Sequence, residues 1–237
     1  MLIKGLQKLT LLDFPEKMAC IVFTFGCNFR CPFCHNASLV LAGRADDTAI
    51  PEEEFFSFLQ KRKGVLEGVC VTGGEPTLQP DLLPFLRRIK ELGYAVKLDT
   101  NGYRPEILEA VLDQGLVDYV AMDLKNGPED YAETVGLAQV ELAKIRQSIR
   151  LLMDSPVDFE LRTTVANPLH SGETITSMAN WLRETTNGKP IPRLFVQPFV
   201  DRDTVPVGGF SAPTGAELEQ FCRILGPCAE RVELRGT

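Results

Sequence analysis

The feature that most constrains this chain is a repeated unit: a short β-rich run, then an amphipathic helical stretch, with Gly, Pro, Asn and Asp gathered between them. The β-rich runs are 20–25, 68–72, 95–99, 119–124, 158–164 and 194–198, and the helical ones are 51–63, 79–92, 105–114, 137–152, 172–185 and 215–225. Each βαβ crossover brings the next strand back in the same direction, so the pattern predicts a parallel sheet. Six units are too few to close an eight-stranded barrel. The expected fold is therefore α/β, an open partial (βα)6 barrel with parallel strands. At 237 residues, 44% of them hydrophobic, the chain has enough apolar material for one core. It reads as a single domain over 1–237, with 1–18 a capping extension and 19–235 the partial barrel.

In this architecture chemistry gathers at the carboxyl ends of strands, where the βα loops converge. Four motifs fall at such ends. "FGCNFRCPFCHN" (25–36) follows the first run, "VTGGEP" (71–76) closes the second, "LDTNG" (98–102) the third and "AMDLK" (121–125) the fourth. Independent local signals have no reason to share one rim unless they form one site.

Cys27, Cys31 and Cys34 have the spacing C-x3-C-x2-C, which lets three thiolates from a tight loop converge on one metal centre. Structural zinc needs a fourth tight ligand, and His35, directly after Cys34, is badly placed to reach the same ion. A four-iron cluster held by three cysteines instead keeps one iron open for a ligand. The chain has seven cysteines, an odd number with three clustered, which favours metal or redox chemistry over a disulfide framework. Cys20, Cys70, Cys222 and Cys228 lie apart from that cluster and read as structural. The formal net charge of -7 leaves no broad basic surface for nucleic acid or anionic lipid. The first residues are interrupted by Lys4, Lys8, Asp13 and Glu16, and no later stretch is long enough to span a bilayer, so a cytoplasmic protein without nucleic acid or membrane partners is expected.

The remaining motifs each carry two readings. Gly73 and Gly74 let backbone groups approach a ligand closely, and Glu75 can accept a hydrogen bond from a cationic amine; the plainer reading is a glycine turn before a helix. Asn101-Gly102 is most simply a turn, while Asp99 and Thr100 end a strand where a ribose hydroxyl or a bound monovalent cation would sit. Asp123 and Lys125 share one face by the period of two, and the alternative to a functional pair is a buried ion pair that only stabilises the fold. Gln197 ends the sixth run and is placed to line a substrate mouth. His170 reads as a surface loop residue, and the Gly- and Pro-rich stretch 200–215 as a mobile binding loop.

The cysteine spacing, with the aromatic Phe33 before the last cysteine and a "GGEP" loop further on, resembles the radical S-adenosylmethionine superfamily. The continuation "CHN" (34–36), with His35, together with "DTNG" and "DLK", is similar to the glycyl-radical-enzyme activating proteins, of the pyruvate formate-lyase and anaerobic ribonucleotide reductase activating kind. "GLQKLTLLDFPEK" (5–17) carries the likeness towards the ribonucleotide reductase group. The resemblance implies a [4Fe-4S] cluster on Cys27, Cys31 and Cys34 and S-adenosylmethionine on its open iron. Phe33, His35, Gly73, Gly74, Glu75, Asp99, Thr100, Asn101, Asp123, Lys125, Arg162 and Gln197 would then surround the cofactor, with Arg162 facing its carboxylate. It implies reductive cleavage to a 5′-deoxyadenosyl radical that takes hydrogen from a glycine of a partner glycyl-radical enzyme, with electrons from flavodoxin or ferredoxin. No further catalytic acid or base is needed. The alternatives are a radical enzyme acting on a small molecule such as a deazapurine precursor, and a non-enzymatic metal-binding or electron-transfer module.

Overall fold

The structure, a computed structural model, describes residues 1–41 and 49–236. In chain order it contains β1 (Ile3–Thr10), β2 (Ala19–Thr24), α1 (Ala37–Leu41), α2 (Glu52–Lys61), β3 (Gly68–Gly73), α3 (Leu82–Glu91), β4 (Ala95–Thr100), α4 (Pro105–Asp113) and β5 (Tyr119–Asp123). Then come α5 (Tyr131–Thr134), α6 (Leu142–Asp154), β6 (Asp158–Val165), α7 (Gly172–Thr185), β7 (Ile191–Pro198), α8 (Gly215–Leu225) and β8 (Ala229–Leu234). The strands neighbour one another in chain order from β1 to β8, an open α/β order with two strands more than the expected six. The backbone falls into two compact units. The first comprises Met1–Asn28, Asn36–Thr100 and Glu106–Ala121, and the second Phe29–His35, Asn101–Pro105 and Met122–Thr237.

In the first unit β2, β3 and β4 are parallel, Ala19 pairing with Gly68 and Gly68 with Ala95. β2 and the first part of β3 are almost wholly buried, which explains their unbroken apolar runs, since a parallel strand covered on both faces has no polar side to show. β1 runs antiparallel to β2, so part of the expected capping extension is an edge strand. Its half-exposed Lys and Gln positions hid it from a search for apolar runs. Helices α2 and α3 bury Phe55, Phe56 and Leu59, and Leu82, Phe85, Leu86 and Ile89, the i, i+3, i+4 spacing of one helical face. The Phe55 and Phe85 rings stack with centroids 5.4 Å apart.

In the second unit β6, β7 and β8 are parallel. β8, "AERVEL", is largely exposed and charged, and nothing in its pattern marks a strand. The residue directly after it fixes its register. Arg235 donates two hydrogen bonds, 2.6 and 3.0 Å, to the fully buried Glu160 of β6 and lies 3.5 Å over the Phe195 ring. α7 and α8 begin and end where their patterns place them, because each opens on a capping box, Ser171 with Thr174 and Thr214 with Glu217. Among the described residues no helix is long and apolar enough to cross a membrane.

The Thr214 hydroxyl accepts from the Glu217 N–H at 3.3 Å and donates to its carboxylate at 2.7 Å. Thr214→Ala removes both bonds and is expected to lower stability by about 1 kcal/mol, whereas Thr214→Ser keeps them and costs little. Urea unfolding followed by circular dichroism measures the difference.

Candidate functional site

In the first unit the sequence after β2 is held to the end of β3 by backbone. The Gly74 N–H donates to the Thr24 carbonyl at 3.0 Å and the Glu75 N–H to the Gly26 carbonyl at 2.7 Å. At that separation side chains do not fit. A Cβ on Gly74 would stand 1.9 Å from the Gly26 oxygen, and one on Gly73, whose φ is +122°, 2.2 Å from the Thr24 nitrogen. The glycine pair therefore has a role that its sequence did not announce: it admits the neighbouring chain segment, and so fixes where Cys27 leaves the sheet. The Gln79 amide adds a 2.6 Å bond to the Phe25 carbonyl on the same segment.

Glu75 is buried and caps the turn after it. One carboxylate oxygen accepts from the Thr77 N–H at 3.1 Å, the Thr77 hydroxyl at 2.6 Å and the Thr100 hydroxyl at 2.7 Å. Thr100 is thus tied to Glu75, joining the "GGEP" motif to the end of β4 within the first unit. Asp99, two residues along β4 from Lys97, forms an ion pair with that lysine. Lys97 is only 2% exposed. Lys97 was not among the residues expected from sequence; the signal for it was a lysine inside an apolar strand, spaced by two from an aspartate.

In the second unit the middle of the cysteine segment is anchored twice. The Arg30 N–H donates to the Val135 carbonyl at 2.8 Å, just after α5, and Gly136, at φ +66°, would place a Cβ 2.2 Å from the Arg30 oxygen. Phe29 packs its ring against Tyr103 and Tyr131 at 5.4 and 6.4 Å. Phe33 is buried in an apolar cluster with Ala166 and Phe199, against which Cys31, Leu169, Val205 and Phe210 pack. His35 stacks on Phe199 at 5.6 Å, and its Nε2 lies 2.7 Å from the Val200 carbonyl, which fixes it as a donor there. Residues 200–215, expected to form a mobile loop, also pair backbone with Asn167 through Ser211. Asn101 accepts from the Tyr103 N–H at 3.0 Å, so its side chain closes its own turn.

Asp123, Lys125 and Arg162 come together as a charged group. Arg162 Nε donates to one Asp123 oxygen at 2.9 Å and Lys125 Nζ to the other at 3.0 Å. Burial works against the Asp123 carboxylate, but the Arg162 and Lys125 charges overcome it and bring its pKa down to about 2. Burial likewise works against the Lys125 ammonium, and Asp123 and then Cys31 hold its pKa above the ordinary value. Cys31 feels the same charge in reverse: burial raises its thiol pKa, and Lys125 offsets part of that rise. Gln197 stands in register with Thr164 between β6 and β7.

His170, expected at the surface, is instead buried. It is 2% exposed, its Nδ1 accepts from the Ala166 N–H at 3.1 Å, and its Nε2 therefore carries the proton and donates to the Lys125 carbonyl at 2.9 Å. Burial lowers its pKa and keeps it neutral. The buried Asn126 amide, bonded to Thr134 and to the Leu169 carbonyl, braces the same segment. Neither residue stands in a recognisable motif, since beside their local bonds they reach partners 8 to 45 positions away along the chain.

Residues 21–184 match the Radical SAM superfamily. This chain is a radical SAM protein. It is 34% identical over 187 residues to a Methanocaldococcus jannaschii protein provisionally named a glycyl-radical enzyme activating enzyme, covering 77% of this chain and 76% of that one. It is 28% identical over 195 residues to 7-carboxy-7-deazaguanine synthase of Thermococcus kodakarensis, covering 73% and 71%. Among solved structures it is similar to Streptococcus suis SuiB bound to precursor peptide SuiA, with a TM-score of 0.64 at 21% identity, covering 91% of this chain and 48% of that one, which shows the shared fold.

Radical SAM proteins use a [4Fe-4S] cluster and S-adenosylmethionine. The donor set here suits such a cluster. All seven cysteines are free thiols, and Cys27, Cys31 and Cys34 are each part-exposed, whereas Cys20, Cys70 and Cys228 are buried. Burial pushes the Cys20 thiol up to about 12 and raises Cys70, Cys222 and Cys228 as well, and none of these four belongs to the 27–34 segment. Among the described residues no three His, Cys, Asp or Glu side chains are gathered tightly enough to hold one ion; a cluster asks for wider spacing, because each thiolate binds a different iron.

The charged group gives a prediction about acid. The folded pKa of Asp123, about 2, lies below its ordinary 3.8, so its contribution is fully present above that ordinary value and is lost as pH falls towards 2. Asp123→Asn should be less stable than the wild type at neutral pH, and the gap should narrow between about pH 4 and pH 2. Denaturant titrations of both proteins across that range check the sign.

Proposed function

We propose that this radical SAM protein activates a glycyl-radical enzyme. The observation that carries the reading is the 34% identity extending over 76% of a relative named for that activity. When bound, the cluster and S-adenosylmethionine supply a reductively generated 5′-deoxyadenosyl radical, the species that takes hydrogen from carbon. This chain's own residues bind and orient. Cys27, Cys31 and Cys34 hold the cluster, and Phe33 and His35 pack the last cysteine's neighbours against Phe199 and Val200. Gly73, Gly74, Glu75, Asp99 and Thr100 in the first unit, and Asn101, Asp123, Lys125, Arg162 and Gln197 in the second, are the residues that would contact the cofactor. The Arg162 and Lys125 cations suit a carboxylate, the buried Glu75 carboxylate suits an ammonium, and Asp99, already paired with Lys97, suits ribose hydroxyls. A rigid frame matters because small displacements of reacting atoms cost large factors in rate. Flavodoxin or ferredoxin would supply the electron.

Support for a protein substrate comes from residues 199–214. Val205 and Phe210 face the Phe33 cluster, while Val200 and Val207 are 43% and 50% exposed beside the exposed Asp201, Arg202 and Asp203. That mixture of apolar and charged side chains fits a peptide loop. The relation to 7-carboxy-7-deazaguanine synthase favours a second reading, a small-molecule substrate such as a deazapurine precursor.

Anaerobically reconstituted protein is expected to hold about four irons and four sulfides per chain. Any one of Cys27→Ala, Cys31→Ala or Cys34→Ala should lose both, and substitutions at Cys20, Cys70, Cys222 or Cys228 should lose neither; iron and sulfide assays read this directly. Reduced protein with S-adenosylmethionine and the glycyl-radical enzyme of the same genome should then give a persistent glycyl signal by electron paramagnetic resonance. Val207→Asp should weaken that signal several-fold and leave uncoupled cofactor cleavage intact. A silent partner, with cofactor cleavage stimulated by a small-molecule extract of the same cells, would transfer the assignment to the small-molecule reading.

A further inference from the structure

The strand geometry of β4 puts Lys97 and Asp99 on one face, two residues apart, and the structure pairs their charges. Lys97 is all but sealed from solvent, and a buried ammonium is tolerated only with a counter-charge. Its register partner on β3, Cys70, does not supply one, because burial keeps that thiol protonated. Asp99 supplies it, and Asp99 is the carboxylate at which a monovalent cation was expected from the sequence. Asp123, in the other unit, is likewise compensated from within its own unit by Lys125 and Arg162. A free cation arriving at Asp99 would meet an ammonium already in place, and the repulsion between the two like charges opposes its binding.

We propose that the Lys97 ammonium is the built-in cation of Asp99, occupying the place of a free sodium or potassium ion, so that this chain's site needs no alkali metal. The inference rests on Asp99 belonging to the cofactor's surroundings, as proposed above, but its test is read without cofactor or partner. A failure here would leave the activating function standing.

The test compares thermal unfolding of the full chain in sodium, potassium and choline chloride at equal ionic strength, together with the linewidth of the 205Tl resonance as a direct probe of monovalent cation binding. The wild type should unfold at one temperature in all three salts and leave the thallium line sharp. Lys97→Met should unfold at least about 2–4 °C higher in potassium than in choline, the shift expected for about 1 kcal/mol of ion binding in a chain of this size. It should also broaden the thallium line, and adding Asp99→Asn should abolish both effects. Lys97→Arg, which restores the charge, should be indifferent to the salt again. A wild type stabilised by potassium over choline, with thallium broadening removed by Asp99→Asn, would overturn the proposal. So would a folded Lys97→Met protein that ignores potassium. Should Lys97→Met not fold in choline, recovery in potassium supports the proposal and failure in both salts overturns it.

Discussion

Two backbone hydrogen bonds, from Gly74 to the Thr24 carbonyl and from Glu75 to the Gly26 carbonyl, set where the chain goes as it leaves β2. They form only because positions 73 and 74 lack a Cβ. A motif that reads as ligand-binding in the sequence is therefore first a packing device. Glu75 extends the same lock by fastening Thr100 at the end of β4, so a turn, a strand end and the start of the cysteine segment are held by one short peptide. The chemistry depends on that rigidity, since a cofactor site gains nothing from well-chosen residues that wander.

Charge is arranged on a similar economy. Burying an isolated ion is prohibitively unfavourable, and both units satisfy this by pairing their strand-end carboxylates with cations of their own. In the second unit the arrangement also reaches a thiol: Arg162 and Lys125 hold Asp123 ionised, and Lys125 offsets part of the rise that burial causes at Cys31. His170 adds no charge to this group. By staying neutral and donating to the Lys125 carbonyl, it holds the backbone of that lysine in place without perturbing the balance.

The repeating βα pattern was legible because the buried parallel strands and their covering helices have strong, regular periodicities, and the six helical stretches correspond to α2, α3, α4, α6, α7 and α8. α7 and α8 were legible to the residue, because capping boxes mark their first turns. β1 and β8 were not, since edge strands with exposed charged residues lack an apolar signature and acquire their conformation from a neighbour. α1 and α5, of five and four residues, are too short to show a period. At the candidate site the motif residues were readable, but Lys97, Asn126 and His170 were not. Lys97 left only the trace of a lysine inside an apolar strand two residues from Asp99, whereas a buried amide or histidine is specified by partners that tertiary structure brings to it, and a loop histidine such as His170 looks from sequence like a surface residue.

The hold that Val135 and Gly136 exert on Arg30 changes how the three-cysteine segment should be regarded as a part. Eight residues carry all three cysteines, which makes the segment look like a cassette that protein engineers could lift into another scaffold. Its curvature is not its own. The bend is imposed by a glycine more than a hundred positions downstream, at a point where any side chain would collide with the Arg30 carbonyl. A transplanted segment would have to bring that distant turn with it, and a designer who copied only the cysteines would inherit the ligands without the geometry.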